Sequence, residues 1–66
     1  MANEEMKAAF IRILEEDSAQ FDKMAENLEH LLPHLAGDKK LYELQIEHRR
    51  SEAKQLRLLI EYVRNS

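Results

Sequence analysis

The stretch Leu31-Leu32-Pro33-His34-Leu35-Ala36-Gly37-Asp38 divides the chain into two parts of similar length. Proline inside a helix removes a hydrogen-bond donor and clashes one turn back, at roughly 3 kcal/mol. A helix arriving from the N-terminal side therefore ends near Leu32. Gly37, the one glycine of the chain, offers a left-handed stop, and Asp38 is suited to cap a second helix. The turn is expected within residues 33–38.

Upstream of it, Phe10, Leu14, Asp17, Phe21, Met24, Leu28, Leu31 and Leu35 recur at steps of four and three. These are heptad a and d positions, interrupted by a charge only at Asp17. Met6, Ile11, Ile13, Ala25 and Leu32 widen the stripe beyond a two-stranded seam, as in a helix of a bundle. Asn3 is expected as the N-cap, with Glu4 and Glu5 set against the positive end of the helix dipole. Helix 1 is expected over about residues 3–32.

Downstream, Tyr42, Ile46, Arg49, Ala53, Leu56, Ile60 and Val63 form a second ladder of the same spacing. Opposite it runs a polar row of Glu43, Glu47, Arg50, Lys54, Arg57, Glu61 and Arg64. Helix 2 is expected over about residues 39–64. Folding back at Gly37 sets Phe10 against Val63, Leu14 against Ile60, Asp17 against Leu56 and Phe21 against Ala53. Met24 then faces Arg49, Leu28 faces Ile46 and Leu31 faces Tyr42. The fold class is all-α: one domain over residues 1–66, an antiparallel hairpin of two long helices. Charge supports the pairing. Residues 1–36 carry eight acids and three bases, residues 37–66 five acids and seven bases. Arg50, Arg57 and Arg64 repeat every seven residues, as do Glu15, Asp22 and Glu29 on the matching edge.

Two helices of this length make a thin rod without an enclosed interior, and the chain has no cysteine to staple it. Chains this small usually need such a staple or a partner. Helix 2 carries a second line that the hairpin does not use: Leu41, Leu44, His48, Ser51, Gln55, Leu58 and Tyr62, with Leu59 beside it. An apolar line of this kind marks a contact surface. The usual solution is a two-fold dimer, which turns two hairpins into a four-helix bundle. Self-association or partner binding is therefore expected through Leu41, Leu44, His48, Leu58, Leu59 and Tyr62.

The remaining chemistry is sparse. With 13 acids and 10 bases the net charge is −3, unlike a general nucleic-acid binder. There is no run of ~18 apolar residues to cross a membrane. The N-terminus, Met-Ala-Asn-Glu-Glu, is acidic where a secretory leader is basic. A cytoplasmic location without membrane contact is expected. Ser18, Ser51 and Ser66 belong to no nucleophile motif, and Glu15 and Glu16 lie on a polar face. Neither catalytic residues, a cofactor nor a small-molecule substrate are expected. His30 and His34, four apart with Glu26 a turn earlier and His48 nearby in the expected register, are the sole metal-ligand candidates; polar surface histidines are the plainer expectation. Asp17 and Arg49 interrupt apolar seams. A buried charge needs a partner: Asp17 reaches Arg57 in the same chain, the two meet across a dimer, or both snorkel to the edge.

In length, topology and acidity the layout resembles the Rop type of small plasmid regulator, a helical hairpin that dimerises and binds paired RNA loops. The resemblance spans the whole chain and carries over no individual residue. It implies RNA as a ligand. On this chain the basic row Arg50, Arg57 and Arg64 is where contacts to phosphate, or to an acidic protein surface, are expected, although pairing with the acids of helix 1 is the plainer expectation. The function expected first is a homodimeric, non-enzymatic regulator, inhibitor or adapter that binds another protein. The alternatives are the RNA regulator and a subunit of a larger helical assembly.

Overall fold

The computed structural model describes residues 2–66. Two α-helices, α1 (Ala2–Leu31) and α2 (Lys39–Asn65), pack against each other as a hairpin, with a single 3-10 turn at Leu32–His34 between them. Glu4 and Glu5 lie in the first turn of α1, where they oppose the positive helix end. Asn3 lies inside α1 and does not cap it. The helix begins at Ala2, one residue before the expected cap.

The turn follows from its residues. Pro33 occupies the start of the 3-10 segment, where its missing N–H costs nothing. The Leu35 N–H closes that segment on the Leu32 carbonyl at 3.3 Å. Gly37 has φ +98°, which favours glycine. The Asp38 carboxylate then accepts from the Lys40 N–H at 3.0 Å and caps α2. The Tyr42 hydroxyl donates to the Ala36 carbonyl at 3.4 Å, tying α2 back onto the turn.

On α2 the inward residues are Tyr42, Ile46, Arg49, Ala53, Leu56, Ile60 and Val63, the whole of the expected ladder. On α1 only half of the expected ladder faces inward. Leu14, Phe21, Leu28 and Leu35 are in the seam. Phe10 and Met24 are each 44% exposed and Leu31 is 51% exposed. Their places are taken by Ile11, Ser18, Ala25 and Leu32, so the inward track reads Lys7, Ile11, Leu14, Ser18, Phe21, Ala25, Leu28, Leu32, Leu35. At about 100° per residue this is a rotation of α1 by about 50° from the expected orientation. The physical reason is Asp17. The expected track would bury its carboxylate, whereas the observed one leaves Asp17 exposed and buries Ser18. The Ser18 hydroxyl donates to the Glu15 carbonyl at 2.9 Å, so the buried polar group is satisfied within its own helix. Three small residues, Ser18, Ala25 and Ala53, are among the most buried of the chain. Small side chains at the seam let two helices approach closely.

Contacts between the two helices fix the antiparallel arrangement. Near the chain ends Lys7 Nζ donates to the Ser66 carbonyl at 2.6 Å. Along one edge Arg57 binds Asp22 and Arg50 binds Glu29. The result is a rod of 53 × 14 × 10 Å. Among the described residues only five apolar side chains are buried: Leu14, Ala25, Ile46, Ala53 and Ile60. Among the described residues no helix is long and apolar enough to cross a membrane.

Candidate interaction surface

The seam divides the surface of the rod into two unlike flanks. One flank carries Glu15, Asp22 and Glu29 of α1 beside Arg50, Arg57 and Arg64 of α2. Two of these arginines are engaged: Arg57 by Asp22 and Arg50 by Glu29. Arg64 borders a depression with Glu15, Ser18, Arg57 and Glu61. Glu43 and Glu47 line a second depression beside Glu29 and Arg50. This flank is polar along its length and alternates in sign.

The other flank is apolar. An α-helix advances about 100° per residue, so positions three and four apart share a side. On α1 that side carries Met6, Phe10, Ile13, Met24 and Leu31. On α2 it carries Leu41, Leu59 and Tyr62, with Leu44 and Leu58 at its outer rim. All ten are exposed, from 41% for Leu59 to 74% for Tyr62. Two depressions show that the two helices contribute to the same side. One is lined by Phe21 of α1 with Gln55, Leu56 and Leu59 of α2. The other joins Met24, Asn27 and Leu28 with Tyr42, Gln45 and Arg49. Scattered exposed leucines are ordinary on a soluble protein; a concentration of eight large apolar residues on one flank, with Leu44 and Leu58 at its rim, is not.

The residues expected at a contact surface thus divide. Leu41, Leu59 and Tyr62 lie on the apolar flank with His48. Leu44 and Leu58 point almost directly away from α1. The α1 contribution is hidden in the sequence because Phe10, Met24 and Leu31 also fit the hairpin seam. The signal that identifies it is the second track through Ile11, Ser18, Ala25 and Leu32, which has the same spacing and carries no acidic residue.

A polar belt crosses the middle of the apolar flank. Glu52 accepts from Arg49 at 3.2 Å and lies 2.7 Å from His48 Nε2. Arg49 and Glu52 are both half-buried. Asp17 does not reach Arg57, whose partner is Asp22. His48 does not approach Glu26, because the two lie on opposite flanks; Glu26 pairs instead with His30 at 3.8 Å. His34 sits in the 3-10 turn. Among the described residues no three potential ligands converge as a metal site.

No protein family, curated protein or solved structure matches the chain.

Proposed function

We propose that the chain is a non-enzymatic protein–protein interaction module, a homodimeric regulator or adapter that binds another protein. The observation that carries this reading is the one-sided apolar flank. A hairpin with five buried apolar side chains and ten large exposed ones leaves much apolar surface in water that association would remove. Two hairpins joined by that flank form a four-helix bundle, in which each helix buries a second stripe. Leu44 and Leu58 face outward from such a bundle and remain for the other protein, with Leu41 and Tyr62 at the border.

Sedimentation equilibrium tests the first half: a particle of twice 7.8 kDa at micromolar concentration is expected, and a monomer there overturns it. Capture from lysate tests the second half, using the tagged chain beside Leu44→Glu/Leu58→Glu. A stoichiometric protein that survives nuclease and is lost in the variant is the expected result. Capture of RNA, falling steeply with salt, would instead put Arg50, Arg57 and Arg64 at the functional surface.

A further inference from the structure

We infer that the apolar flank is covered by a second copy of this chain lying antiparallel to the first, with Asp17 of each copy level with Arg49 of the other. The inference rests on the self-association proposed above and adds its orientation. Three observations lead to it.

The first is area. A flank of 53 by 14 Å offers about 700 Å². Stable specific interfaces take about 800 Å² from each partner, so one copy of equal length suffices to cover it.

The second is the order of residues along the flank. Met6, Phe10, Ile13, Leu59 and Tyr62 gather toward the chain ends. Met24, Leu31 and Leu41 gather toward the turn. Asp17, Gln20, His48, Arg49, Glu52 and Gln55 lie between Ile13 and Leu31, with Met24 among them. A copy docked with the same polarity and one docked with the opposite polarity both cover apolar with apolar. The belt distinguishes them.

The third is the placing of charge within the belt. Arg49 shares a depression with Asn27 and Leu28, whereas Asp17 lies ten residues nearer the chain start. At 1.5 Å per residue the two are about 15 Å apart along the rod. Docking with like polarity keeps that separation between copies and sets Asp17 against apolar residues. A two-fold axis across the rod, level with about residue 22, exchanges the two heights. Each Asp17 then comes level with an Arg49 on the diagonally placed helix, both directed into the bundle, and Ile13 comes level with Leu31 of the other copy. Arg49 has donors to spare, since its guanidinium carries five N–H groups and one bond to Glu52 is formed. A carboxylate brought into a four-helix interior requires such a partner.

The test is a single nitroxide on Ala36→Cys, a clean site in a chain without cysteine. Dipolar spectroscopy of the dimer should give about 40 Å, because the two turns lie some 28 residues of helix apart. A distance below about 25 Å overturns the antiparallel orientation and leaves self-association standing. Loss of all dipolar modulation, with a monomer in sedimentation, overturns both. A double-mutant cycle on the dimer reads the pair itself. Asp17→Asn and Arg49→Met should each weaken dimerisation about tenfold, and together no more than the worse of the two. Effects that multiply would overturn the Asp17–Arg49 contact.

Discussion

Arg57 of α2 binds the carboxylate of Asp22 on α1, 35 residues earlier in the chain. Arg50 repeats the arrangement with Glu29 one heptad nearer the turn. Both pairs are about half exposed. Their spacing favours this register over a slip of one to three residues, which would set Arg57 level with a neutral or cationic neighbour. Their energies are small. A double-mutant cycle of Asp22→Asn and Arg57→Gln should return a coupling below about 1 kcal/mol that shrinks further in high salt. A coupling several times larger, measured by urea denaturation, would mean that the pair is far drier than its exposure shows.

Gly37 is the position where backbone geometry decides a substitution. A Cβ there would meet nothing within 4 Å, so the cost of Gly37→Ala arises from φ +98° alone. Replacement by L-alanine should destabilise the hairpin by about 1–2 kcal/mol, and D-alanine in a synthetic chain should not. Equal losses from the two enantiomers would show that space, rather than handedness, is limiting.

The seam tolerates change unequally. Ala53 is fully buried. Ala53→Leu should separate the helices and cost about 1–3 kcal/mol. Ser18→Ala removes a hydroxyl that bonds only within its own helix, and alanine is the better helix former, so stability should be unchanged or up to about 0.5 kcal/mol higher. Thermal melts at one fixed protein concentration compare the two; a large loss for Ser18→Ala would show that the hydroxyl serves α2 as well.

The rotation of α1 separates seam from flank by experiment. Phe10→Glu and Met24→Glu lie outside the hairpin seam and should leave helicity by circular dichroism nearly intact while raising the dimer dissociation constant at least tenfold. Leu14→Glu lies within the seam and should unfold the hairpin outright. If Phe10→Glu also unfolds the chain at concentrations where the parent is monomeric, the expected track through Phe10 and Asp17 was the right one.

The turn and the whole of the α2 ladder were legible in the sequence, because proline, glycine and a capping aspartate have local consequences and the α2 polar row leaves one orientation open. The α1 orientation was not. Leu14, Phe21, Leu28 and Leu35 belong to two tracks of identical spacing. Counting apolar side chains favours the one through Phe10, Met24 and Leu31. Desolvation of Asp17 favours the other, and a single charge outweighs the larger side chains. The same ambiguity conceals the α1 half of the apolar flank, since Phe10, Met24 and Leu31 fit either a seam or a flank. The engagement of Arg50 and Arg57 by acids of α1 was legible from the seven-residue repeat.

The bond from Lys7 to Ser66 places both ends of the chain at one end of the rod. Tension applied between those ends would therefore load the helices crosswise, layer by layer, from Ile11 and Val63 toward Tyr42, and never in shear along their length. Such a joint resists heat as a whole but yields to force one layer at a time, so the hairpin would open under pulls that a head-to-tail pair of helices of equal stability would withstand.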